Sequence, residues 1–196
     1  MVTLSLLHWE PRMKKTVLTF GLISGIIISV LMGGSMLIAH KMGASTDGHN
    51  GMLLGYTMMV ASFLLVYFGI RSHRDNNLGG HITFGRAFAC GILITLITCV
   101  CYVAMWEIVY FNFLPHIMDS YWAAQIHHVQ AAGLDAATTA AQVAAIQHQQ
   151  QLYNNPFVNM AYTFIEPFPV GLLITLISAA LLRRKAPASS ADPALT

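Results

Sequence analysis

The sequence predicts an all-α integral membrane protein, a four-helix bundle with an extramembrane helical hairpin between the third and fourth spans. Hydrophobic residues make up 56% of the 196 residues and charged residues only 9%, whereas a soluble domain carries roughly a quarter of its residues as charged groups. Four apolar stretches also approach the length of about 20 residues that an α-helix needs to cross a bilayer. Together these observations exclude an ordinary soluble domain.

The four apolar stretches define the predicted spans, which cover residues 16–39, 52–70, 87–109 and 157–182. The first contains no charged residue and is longer than the apolar region of about 7 to 15 residues found in a secretory signal peptide. An uncleaved helix is therefore the preferred interpretation. The alternative is a cleaved signal peptide, because Lys14 and Lys15 form a basic start and Ala44-Ser45 resembles a cleavage zone.

The predicted domain organisation is a single membrane domain over residues 14–185 with a tail at each end. Residues 1–13 form the N-terminal tail, and residues 186–196, rich in Pro, Ala and Ser, are expected to be disordered. Met13, followed by two lysines and then apolar sequence, has the appearance of a natural start. We therefore expect translation to begin at Met13.

The distribution of Lys and Arg predicts the orientation. Basic residues near span ends are retained in the cytoplasm, and nine of the ten Lys and Arg flank the same side of a four-span arrangement: Arg12, Lys14, Lys15, Arg71, Arg74, Arg86, Arg183, Arg184 and Lys185. Lys41 alone lies on the other side. Both termini are therefore expected in the cytoplasm.

The connection between the third and fourth spans is too long for a plain loop. Residues 117–132 and 136–152 are rich in Ala and Gln and contain no Pro or Gly, which favours two helices. Gly133 separates them, and Asp135 stands where it can cap the second helix. No Lys or Arg occurs from Tyr110 to Pro156. We interpret this region as the helical hairpin, outside the membrane.

The first arm of this hairpin carries an apolar stripe formed by Trp122, Ile126 and Val129 at helical spacing. A helix that binds anionic lipid usually bears Lys or Arg on its polar face, and this arm has neither. Packing on the bundle itself or on a partner domain is the expected role.

The connection between the second and third spans is predicted to be a cytoplasmic loop that contains Arg71, Arg74 and Asp75. Asn and Gly residues at positions 76–80 supply turn chemistry, and Thr83 is the predicted N-cap of the third span. The preferred role is a solvated turn whose charges fix the topology. The alternative is a small anion or partner site built from the arginines and glycine backbone.

Several stretches resemble a family of bacterial membrane proteins, domain-of-unknown-function family 4199. They are residues 55–59 (Gly-Tyr-Thr-Met-Met), 68–76 (Phe-Gly-Ile-Arg-Ser-His-Arg-Asp-Asn), 79–84, 102–107 and 166–171 (Glu-Pro-Phe-Pro-Val-Gly). The resemblance covers about residues 14–185. It implies a four-helix protein of the bacterial inner membrane and carries no assigned activity.

Two carboxylates inside the spans, Glu107 and Glu166, form the candidate intramembrane polar site, because ionisable groups are costly in a bilayer. At the rise of an α-helix, Glu107 lies about 28 Å from Phe88, at the inner end of its span, and Glu166 about 24 Å from Leu182. Both are thus near the outer rim and can face each other. Carboxylates that close are expected to share a proton.

A structural role for each carboxylate is the other interpretation. Pro167 and Pro169 lack amide hydrogens and predict a helix kink, where a protonated Glu166 can donate to a freed carbonyl. Trp106 and Tyr110, residue types that favour the membrane interface, flank Glu107, which can then reach water.

No motif assigns a catalytic residue, a cofactor or a metal. The nine histidines show no ligand spacing, and the three cysteines, all in one apolar segment, are expected to be packing residues. The basic residues form no patch suited to nucleic acid.

The predicted function is therefore a non-enzymatic scaffold or envelope-interaction protein. Its expected partners are the lipid bilayer and a second copy or another membrane protein. The alternative is a small proton- or ion-coupled transporter that uses Glu107 and Glu166, and a membrane enzyme ranks third.

Overall fold

A computed structural model describes residues 11–41 and 49–184 of the chain. The described residues form seven α-helices and one π-helical turn: α1 Pro11–Lys41, α2 His49–Asn77, α3 Phe84–Ile108, the π-helical turn Val109–Phe113, α4 Asp119–Ala131, α5 Ala136–Tyr153, α6 Pro156–Ile165 and α7 Pro167–Leu182. The predicted tails lie outside the described residues, except that residues 11–13 form the first turn of α1.

Within residues 11–41 and 49–184, four helical segments are long and apolar enough to cross a membrane: Pro11–Ile38, Leu53–Asn77, Phe84–Phe113 and Pro156–Leu182. Each overlaps one of the stretches that the sequence predicts as a span. Because helices satisfy every backbone hydrogen bond internally, they are one of the two backbone structures that can cross a bilayer. The prediction of an all-α membrane protein is confirmed.

The third span is the centre of the packing, because α3 contacts α1, α2, α6 and α7. Phe63, Val66 and Ile94 are completely buried in this core. Hydrogen bonds also join helices inside it: for example, the Ser24 hydroxyl donates to the carbonyl of Ser62 at 2.8 Å, and the Thr95 and Thr175 hydroxyls lie 2.9 Å apart. Packing between membrane helices depends on such close contacts and short polar side chains.

Small residues allow this close approach. A Cβ atom added to Gly25 of α1 would lie 2.6 Å from the Cys101 sulfur of α3. A Cβ atom added to Gly171 of α7 would lie 2.5 Å from the methyl carbon of Thr95 and 2.7 Å from the ring of Phe63. Glycine is therefore required where α1 and α7 pack closely on the bundle.

The ends of α1, α2 and α7 meet at one end of the bundle, which we call the basic end. The Asn77 amide donates to the Thr16 hydroxyl at 3.3 Å, joining the end of α2 to the start of α1. Ile82 and Arg184 exchange two backbone hydrogen bonds, of 3.1 and 2.9 Å, which tie the α2–α3 connection to the chain after α7. The opposite end is called the hairpin end.

The structure corrects the predicted cytoplasmic loop. Arg71, Arg74 and Asp75 lie in the last two turns of α2, which continues to Asn77, and the loop proper is residues 78–83. The helix continues because polar residues one turn apart interact along it: Arg71 pairs with Asp75, and Asn76 donates to the Ser72 hydroxyl at 3.1 Å. The predicted N-cap of α3 is confirmed, since the Thr83 hydroxyl accepts from the Arg86 amide.

At the hairpin end, α4 and α5 pack against each other and are joined by residues 132–135. Gly133 has a φ of 67°, a left-handed conformation that glycine adopts without strain. The predicted cap of α5 is confirmed: the Asp135 carboxylate accepts from the Thr138 amide at 2.9 Å. Within α5 no residue is fully buried.

Candidate functional site

Polar side chains of the third and fourth spans meet near the hairpin end. Tyr102 and Trp106 are one turn apart on α3 and face the fourth span, where their partners are Asn159 and Glu166. Thr163 lies one turn after Asn159 and completes the group. We call these five residues the hairpin-end polar cluster.

Asn159 is the centre of this cluster and is completely buried. Its Oδ1 atom accepts from the Trp106 indole nitrogen at 2.8 Å and from the Thr163 hydroxyl at 3.2 Å. Its amide nitrogen donates to the backbone carbonyl of Tyr153 at 3.2 Å. Since a buried amide is costly unless its hydrogen bonds are made, these contacts identify Asn159 as the residue that fixes α6 on α3.

Glu166 lies at the junction where the fourth span is divided into α6 and α7. Pro167 is the first residue of α7 and is buried, while Pro169 is exposed. The Tyr102 hydroxyl donates to the Glu166 Oε2 atom at 3.0 Å. The Tyr102 hydroxyl of α3 thus positions the Glu166 carboxyl group at the point where the fourth span is divided.

Glu107 is in a different environment. It is half-buried next to the end of α3, and its Oε1 atom is buried with no hydrogen-bond partner among the described residues. The π-helical turn follows two residues later, with the Leu114 amide bonded to the Val109 carbonyl at 2.8 Å. Such turns interrupt α-helices and often occur at functional sites.

No hydrogen bond joins the two carboxyl groups in the part of the chain that the structure describes. Glu107 follows Trp106 directly, so it is rotated by about 100° around the α3 axis from the face that meets the fourth span. Glu166 is bonded to that face through Tyr102. The two groups are near the same end of the bundle but act as separate sites, so the structure gives no support to a shared proton.

Aromatic residues connect the cluster to the hairpin. Tyr110 stacks on Trp106 with ring centroids 5.7 Å apart, and its ring meets that of Tyr153 edge to face at 5.6 Å. Tyr153 in turn contacts the buried Trp122 of α4 at 5.9 Å. Burial raises the pKa of Tyr153 to about 12. These rings hold the hairpin in a fixed position on the end of the bundle.

At the basic end, the Arg74 side chain forms hydrogen bonds with other residues of the chain. Its buried guanidinium donates to the Asp75 carboxylate at 2.6 and 3.1 Å and to the main-chain oxygen of Leu182 at 3.3 Å. The Leu182 carbonyl is one of the groups that a helix end leaves without an intrahelical partner. These contacts favour a structural role for Arg74 over the anion site that the sequence left open. Arg71 is exposed and lies 3.6 Å from Asp75.

Among the residues that the structure covers, no group of three or more His, Cys, Asp or Glu side chains is placed to hold a metal ion. The Nδ1 atom of His116 lies 2.9 Å from the Oδ2 atom of Asp119, and both side chains are exposed. The predicted absence of a metal site remains a prediction.

Asn159 and the role of Tyr102 are not among the site residues predicted from the sequence. An Asn in an apolar span with a Thr one turn later is a detectable signal, because a buried amide requires partners on neighbouring helices. The i, i+4 spacing of Tyr102 and Trp106 indicates a shared helix face. Neither pattern identifies the partner on the other helix, which depends on how the spans rotate against each other.

Four apolar spans, a polar cluster in which every member except Glu166 is buried, and a helical pair mounted on one end define a multi-pass membrane protein. Residues 19–184 match the model of a family described as protein of unknown function, DUF4199, and the chain belongs to that family. This confirms the family resemblance of the sequence. No curated protein and no solved structure is significantly similar to the chain.

Proposed function

We propose that this protein is a non-enzymatic scaffold of the bacterial inner membrane, with both termini in the cytoplasm and the α4–α5 hairpin on the outer side. Support for the orientation comes from the basic residues. All the described Lys and Arg except Lys41 belong to the basic end, and such residues are retained on the cytoplasmic side.

The observation that carries the scaffold role is the combination of a fixed hairpin with two largely exposed helices. Tyr110 donates to Asn154 at 2.9 Å, and the Trp122–Tyr153 contact anchors α4. Apart from Trp122, no residue of α4 or α5 is buried. A rigid helical pair that buries so little of its own surface is suited to presenting a surface to a partner, here another envelope protein or a second copy.

The test uses photoreactive amino acids incorporated in living cells. Placed at Ala141 or Ala145, which are exposed on α5, they are expected to give one discrete crosslinked product. The matched control is Leu64, which is 51% exposed in the middle of the second span and is expected to face lipid. Purification in mild detergent should retain the same partner in constant proportion. A clean monomer in several detergents, with no product specific to the hairpin, would refute the scaffold role.

Orientation is tested separately by reporter fusions. A reporter after Thr196 is expected to be active in the cytoplasm, and one inserted in the α4–α5 turn beside Gly133 is expected to be active outside it. The reverse result at either site would overturn the proposed topology.

A small proton- or ion-coupled transporter is the second candidate, favoured by the unpartnered Oε1 atom of Glu107 and by the carboxyl group of Glu166 at a helix break. Intramembrane carboxylates often mark ion paths. Flux through reconstituted protein should then fall when Glu166 or Glu107 is replaced by Gln. Flux that is the same in both variants and in the unmodified protein would remove this candidate.

A further inference from the structure

Among the described residues, the basic end carries far more positive than negative charge. Eight Lys and Arg among the described residues lie there, against a single carboxylate, Asp75. Asp75 is already bonded to Arg74 and lies within 4 Å of Arg71. Within the described residues, the remaining cations at this end have no carboxylate beside them to balance their charge.

Five of these side chains have no ion pair in the described part of the chain: Arg12, Lys15, Arg86, Arg183 and Arg184. All five are exposed. We call them the cationic rim. Their exposure contrasts with the burial of Arg74, so the structure separates one arginine used inside the bundle from five exposed cations, four arginines and one lysine.

The cationic rim lies at the ends of three of the candidate membrane spans. Arg12 is the second residue of the first span, Arg86 is the third residue of the third span, and Arg183 directly follows the last residue of the fourth. Charges at the ends of apolar helices are held at the boundary between hydrocarbon and headgroups. Lipid phosphates therefore lie within reach of these side chains.

The rim is also fixed in shape. The hydrogen bond from Asn77 to Thr16 ties the start of α1 to the end of α2. The paired backbone of Ile82 and Arg184 ties the chain after α7 to the loop that leads into α3. Cations that share one end of a bundle repel one another unless counter-ions are present. Anionic headgroups supply those counter-ions at high local concentration.

We propose that the cationic rim binds anionic phospholipid, with the lipid phosphate as the recognised group. The expected preference is for phosphatidylglycerol over phosphatidylcholine, because only the former carries a net negative charge. This proposal does not depend on the scaffold role or on which side of the membrane the basic end faces. Lipid binding can therefore fail while the scaffold role and the orientation hold, and the reverse is also possible.

The test measures lipid retained by the full-length protein in detergent, by native mass spectrometry, during titration with phosphatidylglycerol or phosphatidylcholine. The variant R86Q/R183Q/R184Q should lose its preference for phosphatidylglycerol by about fivefold for each removed charge, which corresponds to about 1 kcal/mol each near a membrane surface. Its backbone contacts are kept, because the Ile82–Arg184 pairing involves main-chain atoms.

Two matched controls separate charge position from charge number. The variant K41Q removes the one exposed cation at the hairpin end of α1 and should leave the preference unchanged. The variant R86K/R183K/R184K keeps the charge and should retain most of the preference. If the triple Gln variant fails to fold, R12Q/K15Q removes two rim charges at the start of α1 and should give a proportionate loss.

Three outcomes would overturn the proposal. One is equal retention of the two lipids by the unmodified protein. Another is a loss in K41Q as large as that in the rim variants. The third is displacement of phosphatidylglycerol by inorganic phosphate at the same concentration, which would show that the rim recognises a free anion and not a lipid surface.

Discussion

The indole nitrogen of Trp106 donates to the Oδ1 atom of Asn159 across 2.8 Å, and this hydrogen bond joins the third span to the first turns of the fourth. Asn159 also accepts from Thr163 and donates to the carbonyl of Tyr153. A single buried amide thereby connects α3, α6 and the end of α5. The position of the hairpin on the bundle therefore depends on Asn159.

Replacement of Asn159 by Ala should lower the free energy of unfolding by about 1–3 kcal/mol, because it leaves the Trp106 donor and the Tyr153 carbonyl without their partner. SDS-induced unfolding in mixed micelles measures this change. The matched control is Asn112→Ala, since Asn112 is exposed and bonds only to its own helix, to the Ile108 carbonyl. Equal effects of the two substitutions would contradict the central role of Asn159.

The contact between Tyr102 and Glu166 is best isolated by a double-mutant cycle with Tyr102→Phe and Glu166→Ala, because Ala removes the acceptor of the Tyr102 hydroxyl. We expect a coupling free energy of about 0.5–1.5 kcal/mol, the range for a direct hydrogen bond. The same cycle with Glu107→Ala in place of Glu166→Ala should give a coupling near zero, because Glu107 is on another face of α3. Strong coupling between Tyr102 and Glu107 would show that the two carboxyl groups form one site after all.

A third prediction follows from the close packing at Gly171. Gly171→Ala should destabilise the protein by about 1–3 kcal/mol, as overpacking in a core does, because the new methyl group meets Thr95 and Phe63, both completely buried. Gly34→Ala is the control, since nothing lies within 4 Å of a Cβ atom there, and a neutral or slightly stabilising effect is expected. Unfolding curves of the two variants decide the comparison, and a neutral Gly171→Ala would refute the tight contact.

The cap of α5 should make its first turn sensitive to acid. Hydrogen bonds from Thr138 hold the pKa of Asp135 below its ordinary value. A carboxylate with a lowered folded pKa contributes stability above the unfolded value of about 4, and this contribution is lost as the pH falls through the folded value. Protection of the amides at the start of α5 against hydrogen exchange, corrected for intrinsic rates, should therefore decrease in acid.

Two substitutions control this experiment. Asp135→Asn keeps a good cap without a titrating group, so amide protection should no longer change with pH. Asp135→Ala should lose protection at every pH. If the unmodified protein and Asp135→Asn respond to acid in the same way, Asp135 is not the group that titrates.

Much of the fold could be predicted from the sequence because the bilayer restricts the choices. Four apolar stretches of this length predict membrane-spanning helices, because a helix satisfies its backbone hydrogen bonds within the segment. The caps at Thr83 and Asp135 could also be predicted, because capping depends on local chemistry and needs no tertiary contact. The predicted second span ends at residue 70, where the apolar residues stop, whereas α2 continues to Asn77. Pairs such as Arg71 and Asp75 extend the helix beyond that point.

The candidate site was less predictable, since depth along a helix can be counted but rotation about its axis cannot. Counting residues places Glu107 and Glu166 at similar depths, and both lie near the hairpin end. Their partners depend on which face of α3 meets the fourth span. Packing of Gly171 and Gly25 against neighbouring helices sets that rotation, and a sequence without coordinates does not reveal it.

The last prediction concerns Arg74, which closes the basic end by donating to the carbonyl of Leu182 and to Asp75. Arg74→Ala leaves the carbonyl at the end of α7 without this donor and removes the closer cation beside Asp75. A loss of about 1–3 kcal/mol in the free energy of unfolding is expected. Arg71→Ala should cost only about 0–1 kcal/mol, because that side chain is 55% exposed and its distance to Asp75 is 3.6 Å.

Protease accessibility after Leu182 distinguishes this role from a general effect of charge. If Arg74 fixes the end of α7, cleavage near Arg183 should accelerate in Arg74→Ala and stay slow in Arg71→Ala, although both variants lose one positive charge from the same helix. The backbone pairing of Ile82 with Arg184 remains in both variants. Equal cleavage in the two would mean that this pairing holds the end of α7 alone and that Arg74 serves only to neutralise Asp75.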